Sequence, residues 1–354
     1  MVNSEYTTPI PSLDGIRAVA VTIVILAHAG FGDVVPGGLG VTIFFFLSGY
    51  LITTLLCKEY ELRSCINVKA FYTRRFLRLF PPLLVCLLIS YSLVYFDWLG
   101  GDISILGFMA QLLYFANYYM IFFDAPIPNG TGILWSLAVE EHYYIFFPLM
   151  IAPLFRRFRR QQIGIFLLFF CGLALFWRMY LVSQSDFQPD RTYYASDTRF
   201  DSILFGSVLA LIKNPTRYTS NNIQTMKLAH WSLLMLGILG ITGSLVLRGE
   251  YFRETFRYTM QGLSLLPIFY CAVRFSKSIP FAFLNTKVFK RIGVLSYSIY
   301  LIHLILIYVI QKLSDNAFSP IFLFFTIFLI STAYAKVIEK YIDIPLLIIR
   351  KKIH

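Results

Sequence analysis

Long apolar runs recur from one end of the chain to the other, and only short polar segments separate them. A helix that crosses the hydrocarbon core of a membrane needs about 20 apolar residues. The pattern therefore predicts an all-α fold, a polytopic transmembrane helix bundle of about ten spans that forms a single membrane domain over residues 1–354. The predicted spans lie near residues 13–31, 39–57, 79–96, 133–155, 162–181, 198–213, 230–247, 257–275, 292–311 and 319–340.

The apolar, aromatic run 103–123 interrupts this pattern. If it were a span, the arginine cluster at 156–160 would lie on the outer side. We therefore expect a re-entrant or interfacial segment, buried against protein so that its backbone groups are satisfied. The basic residues then concentrate in the inner loops, which predicts cytoplasmic termini. No Lys or Arg precedes the first apolar run, so we expect a retained first helix rather than a cleaved signal peptide.

Composition agrees with a membrane protein. Only 14% of the residues are charged and 57% are hydrophobic, whereas a soluble domain carries about a quarter charged residues. The net charge of +12 comes from basic residues in short loops, so we expect no nucleic-acid partner. The five cysteines have no metal-ligand spacing, and we expect free thiols and no metal site.

Three ionisable residues mark one face of the first predicted helix. Arg17 and His28 are eleven positions apart, which places them within about 20° around a regular helix and ~16 Å apart along it. Asp14 precedes Arg17 by three positions and shares its face. A helix-end ion pair with a packing histidine would also explain them. Because an ionisable residue inside a membrane is costly, we favour a functional role.

A second cluster enters the fourth predicted span from its outer end. Glu140, Glu141 and His142 are adjacent, so the two carboxylates point in different directions. His28 also belongs to the outer half, which makes a contact between His28 and one glutamate geometrically feasible. Alternatively, the acids are there because a helix N-terminus favours negative charge.

A third cluster contains Arg74, Arg75 and Arg78, just before Pro81 and Pro82. We expect a short helix at the cytoplasmic surface with Arg75 and Arg78 on one face. Arginine side chains suit phosphate groups. Ordinary positive-inside charge, with anionic lipid as its partner, explains the spacing equally well.

Lesser candidates follow the same reasoning. Asp201 enters the sixth predicted span from outside, together with Asp197 and Arg199. Tyr300 and His303 are three positions apart on the ninth span and share a face. Gly49 predicts close helix packing.

Several motifs resemble those of acyltransferase family 3 membrane proteins, in the same order over essentially the whole chain. Arg17 and His28, with ten intervening residues, look like the signature of that family. One departure is His142, where much of the family has Gln. The other similar segments are 12–17, 45–52, 72–78, 134–141 and 295–303.

The resemblance implies an O-acyltransferase that moves an acyl group, usually acetyl, from cytoplasmic acyl-CoA to a hydroxyl group. The acceptor would be an extracytoplasmic glycan or lipid-linked saccharide, such as lipopolysaccharide O-antigen. We expect a multi-pass protein of the bacterial cytoplasmic (inner) membrane that contacts lipids, with acyl-CoA as co-substrate and no bound cofactor. Because the chain ends soon after the last predicted span, we expect a stand-alone enzyme without the fused esterase-like domain of some members. Homo-oligomerisation stays open.

The resemblance also implies roles for individual residues. In this hypothesis His28 is the general base, and Glu140 or Glu141 orients it or binds the sugar; a transient acyl-enzyme is the rival mechanism. The predicted catalytic residues are Asp14, His28, Glu140 and Glu141. The predicted donor-binding residues are Arg17, Arg74, Arg75 and Arg78. The residues predicted to contact the acceptor or to support the others are Trp135, Ser136, His142, Asp201, Tyr297, Tyr300 and His303.

Two other functions explain intramembrane charges as well. A proton-coupled transporter also uses Arg, His and Glu relays. A non-catalytic subunit that binds lipid or glycan would need no base at His28.

Overall fold

The computed structural model describes residues 10–123, 125–218, 225–315 and 317–353. Within these ranges the chain is helical and contains no strand, which confirms the predicted all-α class. The α-helices are α1 (Leu13–Leu26), α2 (Gly37–Arg63), α3 (Val68–Tyr95), α4 (Ile105–Leu112), α5 (Ala116–Phe122), α6 (Leu134–Arg157), α7 (Arg160–Val182), α8 (Pro189–Tyr194), α9 (Ser196–Ile212), α10 (Leu228–Val246), α11 (Glu250–Glu254), α12 (Phe256–Arg274), α13 (Ile279–Ala282), α14 (Lys287–Leu313), α15 (Pro320–Ile338) and α16 (Ile344–Arg350). Turns of π-helix cover Ala27–Phe31 and Glu339–Asp343, and 3-10 turns cover Pro215–Tyr218 and Phe283–Asn285.

A helix lies at each of the ten predicted spans. Among the described residues, seven helical segments are long and apolar enough to cross a membrane. The ten-span count and the cytoplasmic position of both termini stay predictions. The seven segments are Leu13–Phe31, Gly37–Arg63, Val68–Tyr95, Arg160–Val182, Leu228–Val246, Lys287–Leu313 and Pro320–Arg350.

The run 103–123 does not form one long helix. It is divided into the short helices α4 and α5, which pack on each other. Between them the backbone of Tyr114 has a φ of 59°, a left-handed conformation that interrupts a helix. Two short helices fit the expectation of a segment other than a simple span.

The expectation of a short surface helix around the third arginine cluster is wrong. Arg74, Arg75 and Arg78 belong to the first turns of α3, which runs for 28 residues through Pro81 and Pro82. The Asn67 side chain caps α3 by accepting a hydrogen bond of 3.0 Å from the Ala70 amide. This cap sets the start of the helix well before the prolines.

The described chain divides into two compact units. Among the described residues, the first contains those within 10–20, 41–66 and 146–293, and the second contains those within 21–40, 67–145 and 294–353. In the first unit, α9 packs against α7 and α12, and α10 packs against α12. In the second unit, α3, α6 and α14 contribute to one apolar core. The single domain that the sequence predicts stays a prediction.

Close helix packing at Gly49 in the first unit agrees with the sequence. A Cβ added at Gly49 would collide with the backbone carbonyl of Ile203 in α9. On the other side of the same contact, a Cβ at Gly206 would collide with the Phe46 carbonyl. Because neither obstacle is a flexible side chain, α2 and α9 approach this closely only through glycine.

Replacing Gly49 by alanine should therefore destabilise the protein, by about 1–3 kcal/mol, the usual cost of overpacking. Gly172 of α7 is the matched control, since a Cβ there meets nothing within 4 Å. Gly172→Ala should be neutral or stabilising, because alanine favours helix over glycine. Reversible unfolding in mixed SDS–detergent micelles measures both. Equal stability of the two variants would contradict the packing role of Gly49.

Candidate active site

His28 lies in the π-helical turn Ala27–Phe31 that continues α1. Within this turn Gly30 has a φ of 110°, a conformation that L side chains rarely adopt. Pro320, at the start of α15, packs against Gly30; a Cβ on this glycine would lie 3.1 Å from the proline ring. The regular helical phase therefore ends before His28. Turns of π-helix are frequent at functional sites.

The partner of His28 is His303 on α14, in the same unit. His28 Nδ1 and His303 Nε2 are 3.0 Å apart, the ring centroids are 5.2 Å apart, and the ring planes are inclined by 23° to each other. His303 is fully buried, whereas His28 is exposed. One side of the His28 ring is thus held by protein, and its Nε2 makes no hydrogen bond within the described chain.

A chain of polar contacts continues from His303 to α6. His303 Nδ1 lies 2.7 Å from the carbonyl oxygen of Tyr300, one turn earlier on α14. The Tyr300 hydroxyl lies 2.7 Å from Ser136 Oγ, and it donates a hydrogen bond of 3.2 Å to the Ile133 carbonyl oxygen. The structure thus brings together four of the predicted site residues, His28, Ser136, Tyr300 and His303.

The two glutamates have other neighbours. The Tyr144 hydroxyl donates a hydrogen bond of 2.9 Å to Glu140 Oε2. The Arg75 guanidinium stacks over the Tyr144 ring at 4.7 Å from its centroid, and Arg75 is also a charged neighbour of Glu141. The hydrogen bond of His28 goes to His303, so the contact between His28 and a glutamate that the sequence makes geometrically feasible does not form in the described chain.

The other two predicted donor-binding residues of α3, Arg74 and Arg78, lie close to residues of the C-terminal segment. Arg74 donates to the Ile353 carbonyl oxygen over 3.4 Å. Arg78 has Asp343 and Arg350 as charged neighbours. The first turns of α3 therefore place Arg74 and Arg78 beside the C-terminal segment, whereas Arg75 faces Tyr144 and Glu141.

The remaining predicted residues of this unit are held by aromatic or backbone contacts. The Tyr297 hydroxyl donates to the Leu79 carbonyl oxygen at 2.7 Å. The His142 ring lies 5.1 Å from the ring of Phe115 and is also stacked on Tyr118. Trp135 is buried.

In the first unit, Arg17 and Asp14 form the ion pair that their spacing predicts. Arg17 Nη1 lies 2.7 Å from Asp14 Oδ1, and both side chains are partly buried. The pair sits at the start of α1, so the helix dipole also favours the Asp14 carboxylate. A role in donor binding stays a prediction for Arg17.

Two fully buried charges of the first unit, Arg178 and Asp201, form a separate pair. Arg178 Nη2 lies 2.8 Å from Asp201 Oδ2, and both side chains are completely inaccessible. The Thr259 hydroxyl donates to the same carboxylate oxygen at 2.9 Å, and Arg178 Nε donates to the Thr255 carbonyl at 2.9 Å. Asp201 is therefore fully engaged by structural partners. The sequence predicts Asp201 as a candidate site residue, but it does not predict that Arg178 is the ion-pair partner of Asp201. The available indication was that Arg178 is an arginine within the apolar run of α7.

Arg199 lies close to this pair in the first unit. Its guanidinium carbon is 3.9 Å from the centroid of the Tyr258 ring, and it donates to Thr42 Oγ1 over 3.2 Å. A guanidinium over an aromatic face is stabilised by the ring quadrupole, most strongly away from water. Among the described residues, no three His, Cys, Asp or Glu side chains are placed to hold a metal ion.

Comparisons with known proteins agree on one family. A family model described as an acyltransferase domain matches residues 10–338. The O-acetyltransferase OatA of Staphylococcus aureus strain NCTC 8325 is 31% identical over 357 residues, which cover 97% of this chain and 57% of that protein. OatA of strains COL and MRSA252 gives the same values. The chain thus spans less than two thirds of the length of these relatives. No solved structure gives a significant match.

Asp201→Asn should destabilise the protein by about 3–5 kcal/mol, because it leaves the buried Arg178 without a counter-charge. The matched control is Asp97→Asn. Asp97 lies outside the helices, and the Lys312 ammonium, which donates a hydrogen bond of 2.8 Å to it, holds the pKa of this exposed carboxyl below its ordinary value. Solvent screens that pair, so its loss should leave stability unchanged. Unfolding in SDS measures both variants; an Asp201→Asn protein as stable as the control would contradict the buried pair.

Proposed function

This chain belongs to acyltransferase family 3, and on that basis we propose that it is a membrane O-acyltransferase. It transfers an acyl group, mainly acetyl, from acyl-CoA to a hydroxyl group. The acceptor is a glycan or lipid-linked saccharide such as lipopolysaccharide O-antigen. The relatives' name, O-acetyltransferase, supports acetyl as the group and oxygen as the acceptor atom. The family and the apolar helices support a multi-pass protein, which we place in a bacterial cytoplasmic membrane.

The observation that carries the proposal is the hydrogen bond between His28 and His303. A general base must hold a free nitrogen within hydrogen-bond reach of the proton it removes. His28 is fixed through Nδ1 at 3.0 Å from His303, its side chain is exposed, and its Nε2 makes no hydrogen bond in the described chain. In this proposal Nε2 is the nitrogen that meets the substrate.

The proposed reaction is a direct transfer. The acceptor oxygen attacks the thioester carbonyl carbon as its proton passes to His28 Nε2, so that a C–O bond forms. The C–S bond then breaks, and the proton moves from Nε2 to the departing sulfur, which leaves as CoA thiol. His28 ends the cycle as it began, and no cofactor or metal is required by the balance.

The arginines of α3 support binding of the donor. CoA carries several phosphate charges, and guanidinium groups bind phosphate through paired hydrogen bonds. The stacking of Arg75 on Tyr144 holds one of these guanidiniums in place before the donor arrives. In this proposal Arg74, Arg75 and Arg78 bind the nucleotide end of acyl-CoA.

Replacement of His28 by alanine should slow acyl transfer strongly. Purified protein in nanodiscs is mixed with acetyl-CoA and a panel of bacterial glycans, and both thiol release and acceptor mass are followed. We expect a loss of about 10²–10⁴-fold in kcat, the usual contribution of a general base.

His230→Ala is the control, because that histidine lies on α10 in the first unit and contacts the backbone of Lys227. It should keep full activity. A fully active His28→Ala variant would contradict the base. Wild-type protein that acylates no acceptor in the panel, yet moves a solute or protons, would instead favour a transporter.

Arg75→Ala should raise the KM for acyl-CoA and change kcat little, since it removes binding energy that ground state and transition state share. The matched control is Arg157→Ala in the last turn of α6, an exposed arginine. Initial rates against acyl-CoA concentration compare the two variants. Equal KM values would mean that Arg75 stacks on Tyr144 but does not bind the donor acyl-CoA.

A further inference from the structure

The carbonyl oxygen of Tyr300 determines where two imidazole protons lie. A backbone carbonyl only accepts hydrogen bonds, so the contact of 2.7 Å between this oxygen and His303 Nδ1 requires a proton on Nδ1. In a neutral imidazole the other nitrogen is then bare. His303 Nε2 therefore presents a lone pair toward His28.

The proton on His28 follows from this lone pair. His28 Nδ1 lies 3.0 Å from His303 Nε2 and must donate the hydrogen bond between them. A neutral His28 that donates through Nδ1 has its own lone pair on Nε2. We propose that His303 is a positioning residue that fixes His28 in the Nδ1–H tautomer, so that Nε2 is always ready to accept a proton. This inference rests on the proposed function, in which His28 is the base.

The opposite arrangement is costly. For His28 to accept at Nδ1, His303 would have to carry protons on both nitrogens and be an imidazolium. His303 is fully buried, and neither of its nitrogens meets a carboxylate in the described chain. Its neighbours Ile302 and Ile305 belong to the apolar core of the second unit. A buried charge without a counter-ion is strongly disfavoured.

The relay resembles the logic of a serine-protease triad, with a neutral histidine in the place of the carboxylate. In that triad the third residue holds the base in the right tautomer and stabilises the imidazolium that forms. Here, when His28 Nε2 takes the acceptor proton, Nδ1–H still donates to the His303 lone pair. The proton later moves from His28 Nε2 to the CoA sulfur, so His303 neither gains nor loses a proton during the reaction.

The position of His303 is itself secured by α14. Through its hydroxyl, Tyr300 contacts Ser136 and the Ile133 carbonyl at the start of α6. The same residue thus supplies the carbonyl that orients His303 and the hydroxyl that anchors its helix turn. Both contacts lie within the second unit.

Two substitutions of His303 distinguish its role in positioning His28 from the mere filling of its buried space. His303→Leu fills the buried position with an apolar side chain and removes the acceptor. It should lower kcat by up to about 10⁴-fold, as loss of tautomer control does in the triad, with the KM for acyl-CoA unchanged. In His303→Gln the side-chain carbonyl oxygen can replace Nε2 as the hydrogen-bond acceptor. The kcat of this variant should therefore be roughly tenfold or more above that of His303→Leu, which corresponds to about one hydrogen bond. Leu and Gln variants of equal activity would overturn the proposal.

The tautomer is also measured without any reaction. The chain has five histidines, so ¹⁵N-histidine labelling with His28→Ala as the assignment control isolates the His28 signals in nanodiscs. We expect a protonated Nδ1 and a bare Nε2 in wild type and in His303→Gln, and a mixture of tautomers in His303→Leu.

The two kinds of failure are distinguishable. A wild-type His28 that carries its proton on Nε2 would overturn the role of His303, even in an active enzyme. The expected tautomer in a protein that acylates nothing would overturn the proposed function and leave the assignment of His303 in place.

Discussion

The proposed site depends on one partly buried hydrogen bond, between His28 and His303. A polar ring inside an apolar core needs a partner for each nitrogen, because water is absent there. His303 finds one partner in its own helix, the Tyr300 carbonyl, and the other across the unit in His28. The π-helical turn around Gly30 gives His28 the position to meet it. The exposed face of His28 is the consequence, and the proposed chemistry takes place on that face.

The helices could be predicted from the sequence because each apolar run is long and its ends are polar. The close approach at Gly49 could be predicted as well, since a small residue in a bulky apolar stretch permits backbone contact. The start of α3 could not be predicted from the sequence. Its cap at Asn67 is a single side-chain contact, and two prolines further on suggest a break that the helix does not make.

The residues of the site could be identified from the sequence, but not their pairing. Asp14 and Arg17 are three positions apart, and helical geometry alone predicts their ion pair. His28 and His303 are 275 positions apart, and no local pattern relates them. A glutamate near His28 was the more obvious partner by charge. The structure instead selects a neutral partner, which a low-dielectric interior favours over a second charge.

The central claim is that His28 Nε2 receives the proton of the acceptor hydroxyl. An experimental map of the protein with a non-hydrolysable thioether analogue of acetyl-CoA and a saccharide acceptor tests it most directly. The account predicts an acceptor hydroxyl at about 2.6–3.2 Å from His28 Nε2, the range for proton transfer, with His28 Nδ1 still on His303. An acceptor bound away from His28, or an analogue whose carbonyl position lies near another side chain, would contradict it.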